Sequence, residues 1–97
     1  MAMYVVLVNF TDQGVRNIKD TVKRADAAKE MAKKFGVTIK ELYWTLGGYD
    51  EVVILDSPDD ASVAAFLTSL GALGNVRTQT LRGFSRAEMN GILAKMS

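Results

Sequence analysis

The hydrophobic pattern of the chain centres on two runs rich in Val, Ile, Thr, Tyr and Trp, on either side of Gly47-Gly48. The runs cover residues 37–46 and 51–56, and their residue types suit the pleated surface of a β-sheet. A two-residue hairpin turn requires positive φ, which glycine adopts without a Cβ clash. The pattern therefore predicts a β-hairpin with Gly47-Gly48 at its turn.

The position of the turn also predicts the register of the hairpin, because successive side chains of a strand point to opposite faces. One face would carry the pairs Leu46–Tyr49, Trp44–Glu51 and Leu42–Val53, and the other the pairs Thr45–Asp50, Tyr43–Val52 and Glu41–Ile54. The first face is mostly apolar, so we expect it to lie under helices. The second face mixes polar and aliphatic groups. This mixture suggests a face that is covered but partly accessible to water, such as a cleft. A turn shifted by one residue would exchange the two sets.

The remaining pattern predicts two further strands and three helices. Residues 3–10 form a continuous apolar run, typical of a central strand buried on both faces, and residues 75–84 alternate like a fourth strand. Thr11-Asp12 and Ser57-Pro58-Asp59-Asp60 suit helix starts, Gly36 suits a helix stop, and Ser85 suits the cap of a last helix over residues 86–96. The predicted apolar stripes are Val15, Ile18, Val22, Ala25, Ala28, Ala32 and Phe35; then Val63, Phe66, Leu67, Leu70 and Leu73; and finally Met89, Ile92, Leu93 and Met96.

The element order β-α-β-β-α-β followed by a helix predicts an α+β fold of the ferredoxin-like kind, with an antiparallel four-stranded sheet. Right-handed crossovers place the first strand beside the third and the fourth at an edge. The chain of 97 residues has the size of one domain, which we expect to span residues 1–97. Two helices cover one sheet face, and a second subunit is the simplest cover for the other.

Composition excludes several classes of function. The formal net charge of +1 gives no electrostatic case for nucleic acid or an anionic membrane. The chain contains neither Cys nor His, which excludes a disulfide framework, a Ser-His-Asp triad and a His-based zinc site. We therefore expect no metal and no cofactor. Because no apolar run is long enough to span a bilayer and Met1-Ala2-Met3-Tyr4 lacks a basic signal region, we expect a cytoplasmic location.

Several segments resemble the GYD-domain family of small bacterial proteins, over nearly the whole chain from Tyr4 to about Ile92. Each motif is short, but four in the right order are fairly specific. They are Gly48-Tyr49-Asp50, residues 11–20, Ser57-Pro58-Asp59-Asp60, and residues 73–78 with Thr80-Leu81-Arg82. Gly83-Phe84 departs from the pattern, where a small side chain such as Ala would be expected.

The resemblance implies a dimeric α+β barrel, in which two ferredoxin-like sheets pack face to face. The same broad group includes cofactor-independent monooxygenases, chlorite-dismutase-like haem proteins, muconolactone isomerases and ligand-sensing domains. The GYD family itself has no established activity to carry over, so kinship of fold is only an analogy for function.

The mixed face of the hairpin holds the main candidate chemistry, with Glu41, Tyr43, Thr45 and Asp50. Two carboxylates near a phenol in a partly apolar cavity could have raised pKa values and act in acid–base chemistry. The same groups could instead form hydrogen bonds across a dimer interface or pair with cations of the partner. Asp50 could also bond turn amides or Thr45, while Tyr49 packs on Leu46, and for these two residues we favour the structural interpretation.

Three further features have plainer interpretations. Trp44 could serve a cofactor-independent oxygenase, but its predicted face favours core packing. Arg77 or Arg82 could bind a substrate carboxylate, although pairing with an acid across an oligomer contact is favoured. Asp12-Gln13-Gly14 matches no phosphate-loop pattern and suits a helix cap. The predicted ligand site therefore comprises Glu41, Tyr43, Thr45, Tyr49, Asp50 and Arg77.

Three hypotheses for function follow. The first is a binding or assembly module, a homodimer or higher homo-oligomer whose barrel holds a small molecule. The second is a cofactor-independent oxygenase or isomerase that uses Tyr43, Asp50 and Glu41 on a small aromatic or lactone substrate. The third is a purely structural oligomer block built from the last helix and the edge strand.

Overall fold

Four strands and four α-helices make up the computed structural model, which describes residues 1–96. The strands are β1 (Ala2–Phe10), β2 (Thr38–Trp44), β3 (Glu51–Ser57) and β4 (Val76–Gly83), and the helices are α1 (Asp12–Arg16), α2 (Thr21–Lys34), α3 (Asp60–Ala72) and α4 (Arg86–Ala94). A short 3₁₀ turn, Ile18–Asp20, separates α1 from α2. Within residues 1–96, no helix has the length and apolar character that crossing a membrane would require.

The sheet has the order β2-β3-β1-β4, and all neighbouring strands are antiparallel. The first strand lies beside the third, and the fourth lies at an edge. This order confirms the predicted α+β, ferredoxin-like architecture.

From Glu41 to Trp44 the register of the hairpin is the predicted one. Glu41 pairs with Ile54, Leu42 with Val53, Tyr43 with Val52 and Trp44 with Glu51. The ladder shifts by one residue at Lys40, between Ile39 and Glu41. Gly47 has φ of +104°, so the first turn glycine is the one that requires the left-handed region.

The core lies between one face of the sheet and the helices α2 and α3. Buried side chains on that face alternate along β1 and β3, as a strand with one covered face requires. The core residues are Tyr4, Val6, Val8, Ala28, Ala32, Val37, Val53, Leu55, Val63, Phe66 and Val76. The alternate side chains Val5 and Leu7 of β1 are only half-buried, so the described chain by itself does not bury both faces of this strand.

The predicted first helix is broken, and its early apolar stripe is not buried. Val15, Ile18 and Val22 are exposed, whereas Ala25, Ala28 and Ala32 pack as predicted. Helix α1 is held instead against the start of β4, where the Thr11 amide donates to the Asn75 carbonyl at 3.0 Å. Gly14 approaches that same carbonyl closely, and the chain then passes through the 3₁₀ turn before α2 begins.

Two other predicted burials are also wrong. Leu73 is exposed because α3 ends at Ala72 and the chain turns away at Gly74, whose φ is +91°. Helix α4 exposes Met89, Leu93 and Met96, although Ser85 forms the predicted cap as a full capping box with Glu88. The apolar stripe of α4 therefore has no extensive cover within the described chain.

Candidate functional site

The sheet face turned away from α2 and α3 is the surface on which the predicted site was placed. We call it the open face. Its side chains form two rows across the strands, Tyr43–Val52–Leu7–Gln79 and Glu41–Ile54–Val5–Leu81. The centre is aliphatic and the rim is mostly polar, which matches the mixed face predicted from the register.

Glu41 and Tyr43 form a hydrogen-bonded pair at one edge of the open face. The Tyr43 hydroxyl donates to Glu41 Oε1 at 2.8 Å, and Tyr43 is 55% exposed. The hydrogen bond and the negative charge of Glu41 raise the pKa of the Tyr43 phenol above its ordinary value. The pair therefore presents a protonated phenol and a carboxylate, an arrangement suited to hydrogen bonding at an interface.

Asp50 and Thr45 connect the hairpin to the rest of the sheet. The Asp50 amide donates to the Val8 carbonyl at 2.8 Å, and Asp50 Oδ2 accepts from the Phe10 amide at 2.8 Å. The Thr45 amide donates to the Asp50 carbonyl at 2.9 Å, and its hydroxyl donates to the Tyr49 carbonyl at 2.6 Å. These contacts match the structural interpretation of Asp50, with a strand amide as its main partner.

Tyr49 does not pack on Leu46, as the structural interpretation expected, because Leu46 is fully exposed at the turn. The Tyr49 hydroxyl instead donates to Gln79 Oε1 of β4 at 2.9 Å. Gln79 belongs to the open face, so the two side chains bridge one end of that face. The predicted Leu46–Tyr49 pair under the helices is therefore wrong, because the turn leaves the strand geometry after Trp44.

Arg77 lies at the opposite edge of the sheet from Glu41 and Tyr43. Its Nη1 donates to the Gly71 carbonyl at 3.0 Å and to the Val76 carbonyl at 2.8 Å. The guanidinium is therefore turned toward the end of α3. The structure brings Glu41 and Tyr43 together and places Thr45 beside Tyr49 and Asp50, but it does not bring Arg77 to them.

A buried carboxylate that the sequence reasoning did not single out lies on the helix-covered face. Glu51 is 8% exposed and pairs across the hairpin with Trp44. Trp44 is 45% exposed, so its predicted core packing is wrong, and its Nε1 donates to Thr21 Oγ1 at 3.0 Å. Because the hydroxyl of Thr21 accepts from Trp44, it is free to donate to the Glu51 carboxylate.

Burial raises the pKa of Glu51 and the negative charge of Asp50 adds to this, while Arg24 and the hydrogen bond from Thr21 act in the opposite direction. One signal could have found this residue. In the predicted register, Glu51 is the only carboxylate on a face whose other members are apolar or aromatic. A charged side chain at an inward position of a strand is a candidate functional group.

A partly open cavity of about 120 Å³ lies between the sheet and the helices, on the Glu51 side. None of the six predicted ligand residues lines it. Within residues 1–96, no three His, Cys, Asp or Glu side chains come together as a metal site requires. Ligand binding by the predicted residues stays a prediction.

Comparison with known proteins gives a consistent result. The model of the family described as GYD domain matches residues 4–93. A curated protein of Thermus thermophilus, named "Glutamine synthetase and cystathionine beta-lyase binding protein", is 31% identical over 90 residues, which cover 92% of this chain and 95% of that protein. The crystal structure of TTHA0845 from Thermus thermophilus has a TM-score of 0.57 at 24% identity, over 88% of this chain and 95% of the other, and shows the same fold.

Proposed function

Because this chain belongs to the GYD domain family, we propose that it is a homodimeric assembly module, in which two open faces pack together and the dimer binds a partner enzyme. The observation that supports the dimer is the open face itself. Val5, Leu7, Val52 and Ile54 lie at its centre and are only half-buried in the isolated chain. A second copy would remove these aliphatic side chains from water.

The chemistry of the open face suits a self-complementary contact. Protein interfaces commonly have an apolar centre and a polar rim. Here the rim is supplied by the Glu41–Tyr43 pair on β2 and by the Tyr49–Gln79 pair at the hairpin end. The predicted ligand residues therefore fit the alternative of hydrogen bonding across a dimer interface.

We propose that α4 takes part as well, because the open face alone is small. Four strands of about seven residues, at the usual spacing and rise, give a face of about 440 Å². A stable interface usually buries about 800 Å² on each partner. The exposed stripe Met89, Leu93 and Met96 of α4 can supply much of the difference.

The proposed partner class comes from the Thermus relative. That protein is named for binding glutamine synthetase and cystathionine β-lyase. Its alignment with this chain covers 92% of this chain and 95% of the relative. A dimer formed through the open face and α4 would leave the outer surfaces of α2 and α3 free on both subunits. We propose these surfaces as the contact with a metabolic enzyme.

Two neighbouring residues of the edge strand provide a matched test of the dimer. Leu81 and Thr80 are both exposed on β4, but Leu81 points to the open face and Thr80 to the helix-covered side. We expect Leu81→Lys to give a monomer, because it places a charge in the apolar contact. Thr80→Lys should retain the mass of the wild-type oligomer. Multi-angle light scattering measures both.

Two outcomes would contradict the dimer proposal. The wild type could be monomeric at all concentrations, or the two lysine variants could have the same mass. Circular dichroism controls for the fold of each variant.

For the enzyme partner, biolayer interferometry with purified glutamine synthetase and cystathionine β-lyase is the direct measurement, and no binding to either enzyme would remove that part of the proposal.

A further inference from the structure

The cavity between the sheet and the helices is separate from the open face. It has a volume of about 120 Å³, and its lining is mostly aliphatic or aromatic, with Val53 and Leu55 from β3 and Phe66 and Leu70 from α3. Helix α2 contributes alanines to the same wall, among them Ala25 and Ala28. Because alanine ends at Cβ, this side of the core leaves the space unfilled.

Four polar or charged residues line this mostly apolar space, namely Arg24, Glu51, Asn75 and Thr78, and Glu51 is the only carboxylate among them. Glu51 belongs to the cavity wall and is 8% exposed. The nearest cation, Arg24, donates to the Asn17 carbonyl at 2.6 Å and to the Gly14 carbonyl at 3.1 Å. Its guanidinium also lies 5.7 Å from the centre of the Phe10 ring. Arg24 is thus held by α1 and its following turn.

A carboxyl group can accept more hydrogen bonds than the one from Thr21. The Thr21 hydroxyl donates a hydrogen bond to the Glu51 carboxylate. The two oxygens of a carboxylate have about four acceptor positions in total. Burial favours its protonated form, in which it can also donate. A few polar groups in a mostly apolar cavity are the usual means by which a pocket orients a small ligand.

From this geometry we infer that the cavity is a binding site for a small neutral molecule, a ring or branched chain of about six carbons that carries one hydroxyl group hydrogen-bonded to Glu51. The size follows from comparison, since a dry apolar cavity of about 150 Å³ in another protein accommodates benzene. The inference does not depend on the dimer, because no residue of the two open-face rows lines the cavity.

Strand β3 provides the readout, because its side chains alternate between the two faces. Val53 and Leu55 line the cavity, whereas Val52 and Ile54 lie on the open face. We would titrate the protein with phenol and follow methyl resonances by NMR. Phenol should shift the Val53 and Leu55 methyls and leave those of Val52 and Ile54 in place.

Variants test the role of the carboxylate and the cavity separately. Glu51→Leu should weaken phenol binding about tenfold, the equivalent of one hydrogen bond to a buried group, while benzene binding is retained. Asp12→Leu, which removes an exposed carboxylate from α1, is the control and should leave phenol binding unchanged. Ala28→Met should abolish binding of both probes by filling the space.

Three results would overturn the inference. The first is no methyl shift with millimolar phenol, and the second is a shift confined to Val52 and Ile54. The third is phenol affinity that is equal in the wild type and in Glu51→Leu. Because the readout is independent of molecular mass, failure here leaves the dimer proposal standing, and a monomeric wild type leaves the cavity test intact.

Discussion

At the scale of single residues, most of the polar groups that look functional in the sequence form hydrogen bonds within the folded chain. Asp50 binds a strand amide, and Thr45 binds the hairpin backbone. Both contacts are local to the hairpin end, where side-chain oxygens commonly satisfy free backbone groups. Glu51 differs, because it lies at a position where a strand of this sheet otherwise buries Val53, Leu55 and Ser57.

The burial of Glu51 predicts a dependence of stability on pH. A carboxyl group whose folded pKa is raised contributes its full stability at pH below the unfolded value, and this contribution is lost as the pH rises through the folded pKa. The ordinary pKa of a Glu side chain is 4.5. Above this pH we expect Glu51→Gln to be more stable than the wild type. The difference in the free energy of unfolding should grow with pH and level off above the raised pKa of Glu51. Urea unfolding between pH 4 and 8 measures it.

Arg24 and Asp50 are the charged groups that act on Glu51, from α2 and from the hairpin. Exchanging the exposed carboxylate of Glu41 for Gln provides the control, since that group is not buried. A pH-independent difference between wild type and Glu51→Gln would contradict the predicted titration.

At the scale of elements, a helical stripe in the sequence does not by itself specify one helix. Residues 15–35 have the spacing of a continuous amphipathic helix, yet α1 is turned against the start of β4. The contact is close at Gly14, where an added Cβ would come within 2.2 Å of the Asn75 carbonyl oxygen. Only a glycine permits that approach, and only the fold brings Asn75 there.

This contact predicts a large effect of a small substitution. Gly14→Ala should lower the free energy of unfolding by about 1–3 kcal/mol, because either the clash remains or α1 moves off β4. Gly48→Ala is the control, since nothing lies within 4 Å of its added Cβ, and it should change stability by less than about 0.5 kcal/mol. Chemical denaturation of both variants would show whether the close approach matters.

The alanine-lined face of α2 has an energetic consequence as well. At about 24 cal/mol per Å³, a fully enclosed cavity of 120 Å³ would cost about 3 kcal/mol relative to a filled core, and this partly open cavity costs less. Such a cost is a substantial part of the stability of a small domain. A ligand in the cavity would offset part of it, which links the proposed site to the stability of the fold.

At the scale of the whole molecule, the chain is elongated, and the proposed dimer would cover its exposed apolar surfaces. The described chain extends over 52 × 30 × 17 Å, with α4 at the end of β4. A helix of nine residues is marginal when isolated, even with the capping box at Ser85. In the proposed dimer, an apolar surface of the partner would cover both α4 and the open face.

Removal of α4 tests this view of the assembly. A chain that stops after Phe84 should retain the sheet and the helices α1 to α3, because the sheet register does not involve α4. Its dimer should be at least tenfold weaker, since part of the apolar contact is lost. Sedimentation equilibrium compares the two chains, and unchanged dimer affinity would show that α4 lies outside the interface.

The element order, the hairpin register and the two faces of the central strands could all be predicted from the residues alone. They follow from local physics, namely the alternation of side chains in a strand and the conformational freedom of Gly47. The path of α1, the exposure of Trp44 and the position of the cavity became visible only in the folded chain. Each depends on contacts between residues far apart in the chain, such as Gly14 with Asn75, or on the space left between packed side chains. Neither can be deduced from the residue types alone.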